Sequence, residues 1–574
     1  MSLLRNRHRE SKLTFARVLT IVCLFTCIFS VLVVRVYQLQ VIQHEKLLSL
    51  SNSNKTKTVT LMPYRADIVD RYKKPIAIYT PNFYLSRTNR QVDHIENDLN
   101  ILKNLEKFGI YNLAESDLNK KLTISQDAYA YLNNHPIPSL TVKKQNIRHY
   151  PYPEAFAHLV GFTNKSPSSG RQYPDSRMAY MDGKAGIELV YDKYISGLPG
   201  SKLNLIDAKQ QIYESIIETP PKRAIPLQLT IDLDLQNYAY DQLSGVVGSV
   251  IMLNPQNGEI LAAVSTPSFN TNSLNYFNQS SQGTMFNRFL QALYPPASIV
   301  KPFIALNALE EEMIDPEQEI HDPGYYLVND QSKPFRNYKR TGHGNVNLKK
   351  AIAVSNDTYF YTLAHQLGIT KITDYLEKFG FGKKTNISLP GEAAGIIPNK
   401  QYRDKHYKTW FTGQTIITGI GQGDLLCTPL QIARATMLLA NNGYDYPLHL
   451  IESHVLPSPK ILNFKKAHRE RIIDAMISVP ISGTARRIGV TPYELAAKTG
   501  SAQVASLNDQ STYHSLPKHQ KDHHLFIGFA PAYSPEVVLV VVVEHQLGAT
   551  EIAKNILDWY WAKGKFTKTV RLQK

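Results

Sequence analysis

The run Val18–Val34 (VLTIVCLFTCIFSVLVV) constrains this chain most: 17 successive uncharged, mostly apolar residues. That length is the lower limit of a bilayer-spanning helix and exceeds many signal-peptide cores. Arg5, Arg7, Arg9, Lys12 and Arg17 precede it, and a basic flank stays on the cytoplasmic side. Arg35-Val36-Tyr37-Gln38 follows in place of a small-x-small cleavage site, and Val22 before Cys23 does not suit a lipoprotein box. The expectation is an uncleaved signal anchor: a cytoplasmic tail over 1–16, a transmembrane segment over 17–35, and the remainder exported to the periplasm from the inner membrane.

The remainder has ordinary globular composition. Of 574 residues, 43% are hydrophobic and 20% charged, enough for a sizeable core and more than one domain. The formal net charge of +16 suits an anionic surface or polymer, but no helix-turn-helix, finger or RNA-binding pattern accompanies it, so no nucleic-acid partner is expected. Of three cysteines, Cys23 and Cys27 lie in the apolar run and Cys427 stands alone, which excludes a disulfide framework and a CxxC zinc cluster downstream.

Residues 36–222 read as a mixed, turn-rich module without a catalytic constellation. Within it, 63–79 alternates like strand, turn and strand, 95–110 is helical, 168–174 is a loop, and 183–200 is a helix between glycines. Past the linker at 220–226, segments 248–265, 494–504, 524–531 and 536–544 read as strands, the first with a turn at Asn257-Gly258. Helices are expected at 349–367, 428–442 and 550–562. Strands at both ends with helices between them give an α/β domain over 223–567, followed by a basic tail over 568–574.

Chemistry concentrates in three short segments. Ser298-Ile-Val-Lys301 opens an apolar, helix-spaced run, FIALNALEE, and Pro302 fits a first helical turn. Residues three apart share a helix face, so Lys301 can reach Ser298. A lysine of lowered pKa is a competent base for a serine nucleophile. Alone, the pair reads as a helix cap and a surface lysine. A second Ser-x-x-Lys, Ser515 to Lys518, lies in a polar loop with nothing to hold its side chains together. Ser355-Asn356-Asp357 falls inside a helical stretch, and Lys498-Thr499-Gly500-Ser501 lies on a strand. There Gly500 would leave room for another chain segment or a ligand to approach the strand edge, and the lysine and hydroxyls suit a carboxylate.

Ser-x-x-Lys, Ser-x-Asp and Lys-Thr-Gly in that order resemble the set of the penicillin-binding proteins and class A β-lactamases, in which the second motif usually reads Ser-x-Asn. PYRADIVDRYKKPIA, GKAGIELVYDKYISGLPG, MLNPQNGEILAAVSTPSF, ITGIGQGDLLCTPLQIA and LFIGFAPAYSPEVVLVVVVEH extend the likeness along nearly the whole chain. The chain resembles the class B penicillin-binding proteins, and Asp357, the GHG at 342–344 and KTGSAQV resemble their elongation-specific group. The resemblance implies an α+β transpeptidase domain with a mainly antiparallel central sheet, a mixed α+β pedestal and one transmembrane helix. It implies that Ser298 is acylated, that Lys301 is the base, and that Ser355 relays protons between Lys301 and Lys498. Asp357 belongs to the same catalytic set. Thr499, Gly500 and Ser501, with Lys498, would bind the terminal carboxylate of a D-Ala-D-Ala stem peptide, and the N–H groups of Ser298 and Ser501 would form the oxyanion hole. Implied partners are peptidoglycan stem peptides, a RodA-type glycosyltransferase, elongation scaffold proteins and β-lactam antibiotics; no cofactor is implied.

Ala297 and Ala66 replace glycines usual in the family. Some elongation-group members carry a zinc site of Asp, Asp, His and Cys. Asp322 and His343 match two positions, but Asn337 and Asn356 occupy the others, so no metal is expected. His514, His519, Asp522, His523 and His524 read as a solvated histidine-rich loop. A division-specific transpeptidase, a β-lactam sensor and a carboxypeptidase or β-lactamase-like hydrolase are the alternative readings.

Overall fold

The computed structural model describes residues 2–61, 63–87, 122–136, 140–166, 180–207, 212–273, 283–329, 333–453, 455, 458–505 and 515–564. The helix expected at 95–110, the loop at 168–174, His514 and the basic tail lie outside them. The chain divides into two compact units. The first comprises Met1–Tyr64, Gly170–Met178 and Gly197–Arg223, and the second the remainder.

In the first unit one helix, Ser2–Tyr37, continues through a wider turn at Gln38–Ile42. Thr14–Ile42 is apolar enough to cross a bilayer over 29 residues, with mean hydropathy 2.5, and none of its most apolar stretch is buried in protein. Phe15, Phe25 and Phe29 are all about two-thirds exposed or more, at 70%, 67% and 67%. Such side chains require an apolar surround, and the segment is a membrane anchor. The helix outlasts the apolar run because the residues after Val34 still favour helix. Helix His44–Lys55 then leads into strand Thr56–Leu61, which pairs antiparallel with Gly200–Ile206, and that strand with Ile212–Thr219.

The second unit is built on a five-stranded antiparallel sheet. Its strand order is Ile260–Thr266, Gly248–Leu253, Val537–Val543, His523–Ala530, Ala496–Ala502. Val537–Val543 is buried at every residue, so its continuous apolar run reflects a central strand covered on both faces rather than a parallel sheet. Helices Leu233–Gln242 and Ala549–Ala562 pack on each other and on the sheet, and Pro429–Ala440 packs on its inner strands. Asn257-Gly258 makes the expected turn, with Gly258 at φ +81°.

The same unit carries a buried ion cluster. Glu188 Oε2 accepts from Arg65 Nη2 at 2.8 Å and Oε1 from Arg148 Nε at 2.7 Å, while Arg65 Nη1 reaches Asp192 Oδ1 at 2.6 Å. The stretch read as one helix is two short ones, Gly186–Val190 and Asp192–Ile195, and together they bring both acids to Arg65. Ala66 takes no left-handed backbone; its N–H donates to Ile195 O at 2.7 Å, so the missing glycine costs nothing there. Glu188→Ala takes the acidic partner from buried Arg148 and leaves Arg65 with Asp192. We expect a loss of about 3–5 kcal/mol, read as a lower thermal or urea midpoint of the purified protein.

Candidate active site

The Ser298 segment is fixed at both ends. Tyr294 and Cys427 exchange backbone hydrogen bonds of 3.0 and 2.9 Å, and Ala297 N donates to Gly421 O at 2.8 Å. Ser298 lies in a 3-10 turn, Ala297–Val300, and the α-helix proper begins at Lys301 with Pro302 in its first turn. Ala297 sits at φ +51°, a left-handed conformation that costs an L-residue about 1–2 kcal/mol and explains why glycine suits the position. Gly421 has no alternative: a Cβ there would lie 2.3 Å from Ala297 O.

Ser355 does not lie within a helix, contrary to the sequence reading. It occupies the break between Leu348–Ala353 and Asp357–Lys378, at φ +55°. Asn356 caps the second helix, its Oδ1 accepting from Tyr359 N at 2.7 Å. This break turns the hydroxyl toward two lysines. Lys498 Nζ donates to Ser355 Oγ at 2.8 Å, and Lys301 Nζ lies 3.4 Å from the same oxygen. Lys301 also donates to Ser355 O at 2.9 Å and pairs with Asp357 Oδ1 at 2.6 Å. Its hydrogen bonds go to these groups rather than to Ser298, which is half-buried.

Lys498 lies on the sheet's edge strand, Ala496–Ala502. A Cβ on Gly500 would come within 3.1 Å of Ile299 Cγ2 and 3.2 Å of Pro296 O. The space that glycine leaves is filled by another segment of the chain, the Ser298 turn. Ser501 is exposed at the rim, its Oγ 3.3 Å from His524 Nδ1, while Gln422 Nε2 donates to Ser501 O at 3.1 Å. Thr499 Oγ1 meets Thr484 Oγ1 at 2.6 Å. Thr484, Gln422 and His524 carried no signal in their spacing. Ser515 and Lys518 are exposed. Among the described residues no three His, Cys, Asp or Glu side chains converge as metal ligands would.

Both lysines are fully buried, at 0% exposure. Burial lowers the Lys301 pKa, and the Asp357 carboxylate pulls partly the other way. Burial lowers Lys498 further, the Lys301 charge adding to it and Asp357 again opposing. Lys498 is the more readily neutral of the two, and Lys301 the one paired with an anion.

The penicillin binding protein transpeptidase domain model matches residues 248–558, and the penicillin-binding protein dimerisation domain model matches 60–229. The chain belongs to the class B penicillin-binding proteins. The peptidoglycan D,D-transpeptidase MrdA of Acinetobacter baumannii is 33% identical, over 96% of this chain and 87% of that protein. The MrdA of Escherichia coli K12 is 30% identical, over 94% and 93%. Among solved structures, Helicobacter pylori PBP2 in complex with MreC aligns with TM-score 0.72 and 27% identity, over 89% of this chain and 99% of that one. Pseudomonas aeruginosa PBP2 in complex with WCK 5153 aligns with TM-score 0.65 and 29% identity, over 87% and 95%.

In this penicillin-binding protein Asp322, Asn337, His343 and Asn356 do converge, as the zinc-site comparison implies. They do not fit a zinc ion. Asn356 Oδ1 is committed to the helix cap, so its Nδ2, a donor, faces Asp322 Oδ2 at 2.6 Å. Asn337 Nδ2 does the same at 2.8 Å. Two N–H donors stand where ligands would be required.

Acylation needs a neutral base, so its rate rises with pH until the lysine has lost its proton. The lowered lysine pKa puts that rise below 10.5, the ordinary lysine value. Asp357 holds the Lys301 pKa up, so Asp357→Asn moves the rise to lower pH. Rates of labelling by fluorescent penicillin across pH check the direction.

Proposed function

We propose that this chain is the D,D-transpeptidase that cross-links peptidoglycan stem peptides during lateral wall elongation and rod-shape maintenance. One observation carries the reading: a single hydroxyl, Ser355 Oγ, lies 2.8 Å from Lys498 Nζ and 3.4 Å from Lys301 Nζ, both buried. Ser298 is the nucleophile. Its Oγ passes a proton to neutral Lys301 and attacks the carbonyl carbon of the penultimate D-Ala. The N–H groups of Ser298 and Ser501 receive the oxyanion. The C–N bond breaks, and the proton travels through Ser355 to the departing D-Ala nitrogen. An amine from a neighbouring stem attacks the Ser298 ester, forms the new amide and returns a proton to Ser298 Oγ.

Lys498, Thr499 and Ser501 take the donor's terminal carboxylate. An anion beside Lys498 favours its protonated form. That draws a proton across Ser355 from Lys301 and leaves Lys301 free to act as base. Substrate binding thereby sets the protonation state that acylation requires. β-Lactams acylate the same serine and remain attached.

The catalytic unit works in the periplasm, held to the inner membrane by the anchor. The basic residues before the span support that orientation. We assign 36–222 to the pedestal and 223–567 to catalysis, a division supported by the extents of the two family models. A RodA-type glycosyltransferase supplies the glycan strands, and scaffold proteins dock to the pedestal. A PBP2 solved with MreC supports the second association.

Labelled penicillin is expected to acylate the purified protein, with labelling abolished by Ser298→Ala; labelling that persists would remove Ser298 from the nucleophile role. Depletion in cells is expected to give rounded cells. Filaments would assign the enzyme to septal division instead.

A further inference from the structure

The steps above make no use of Asp322, yet its carboxylate is 1% exposed and collects six hydrogen bonds. Oδ1 accepts from Gly324 N at 2.8 Å and Thr358 Oγ1 at 2.6 Å. Oδ2 accepts from Asn337 Nδ2 at 2.8 Å, Asn356 Nδ2 at 2.6 Å, and the N and Nδ1 of His343 at 2.9 Å each. A buried carboxylate is tolerable only when its lone pairs are met in this way. Two of these donors, Asn356 and Thr358, alternate along the chain with Ser355 and Asp357. Gripping 356 and 358 on one side leaves 355 and 357 for the lysines. The turn needs such a grip, since Ser355 is held at φ +55°, a conformation that persists only where its surroundings over-determine it. Tyr338 closes the other side, its OH donating to Val354 O at 2.9 Å.

We propose that Asp322 is a positioning residue for transpeptidation. Through Asn356 and Thr358, its carboxylate holds the turn that sets Ser355 between Lys301 and Lys498 and Asp357 against Lys301. It does so without a metal ion, the donor amides of Asn337 and Asn356 occupying the places that ligands would need. The role rests on the Ser298 reading, because it is defined by the acylation of that serine.

The test uses the full chain in detergent and fluorescent penicillin, with the pre-covalent dissociation constant and the acylation rate constant measured separately. Asp322→Ala is expected to lower the acylation rate constant roughly ten- to a hundred-fold, the scale of a displaced catalytic group, and to leave the dissociation constant nearly unchanged. Thr358→Val removes one hydrogen bond and keeps the shape, so it should slow acylation by a smaller factor even if Asp322→Ala fails to fold. Treatment with EDTA should change nothing. Wild-type rates in Asp322→Ala or Thr358→Val, or a loss on chelation, would each overturn the proposal. Failure of the Ser298 reading is distinguishable, since it would appear with Asp322 intact, as labelling that survives Ser298→Ala.

Discussion

Two lysine side chains with no solvent exposure share one hydroxyl, and the rest of the catalytic unit is arranged around that constraint. An ammonium removed from water either finds a partner or gives up its proton. Here the two outcomes are divided: Lys301 has Asp357 at 2.6 Å, and Lys498 has only Ser355 and a backbone carbonyl. The same desolvation that makes the pair costly to bury makes a base accessible at ordinary pH. The three chain segments involved must meet closely enough to exclude water. The antiparallel sheet supplies the edge strand, and the helices packed beside it supply the other two walls.

Backbone strain collects at the same place. Ala297 precedes the nucleophile at φ +51°, and Ser355 sits at φ +55°. Each is held by hydrogen bonds from outside its own segment: Ala297 by Gly421 O, and the Ser355 turn by the Asp322 cluster. Gly421 and Gly500 are small because another backbone passes within contact distance. Both glycines are thus spacers that let the Ser298 turn pack closely.

Much of this was legible in the residues. The strand segments, the turn at Asn257-Gly258 and the closing helix follow from periodicity and turn chemistry. Pro302 correctly signalled a helix beginning close to Ser298, although a 3-10 turn intervenes. The break at Ser355 is not legible in this way, because apolar spacing runs across 349–367 without a proline or glycine near it, and the contacts that hold the turn come from Asp322, Tyr338 and Lys301. Gly500 signals a close approach to the strand edge, but a strand's sequence does not say which segment lies there. Three of the Asp322 partners were grouped with it only through the likeness to a zinc site, since its side-chain donors lie 15, 21, 34 and 36 residues away.

The sequence by itself determined the membrane anchor, because lipid selects for an uninterrupted apolar run. It also singled out the candidate reacting groups, because only particular residue types supply a nucleophile, a base and a carboxylate clamp. Tertiary structure alone decided how those groups are used. Lys301 and Ser355 are 54 residues apart, and Ser355 and Lys498 are 143 apart. Their separation, burial and protonation depend on which segments pack together, and no local pattern encodes that. The preference of Lys301 for Asp357 over Ser298, and the grip of Asp322 on the Ser355 turn, exist only once water has been excluded from between them.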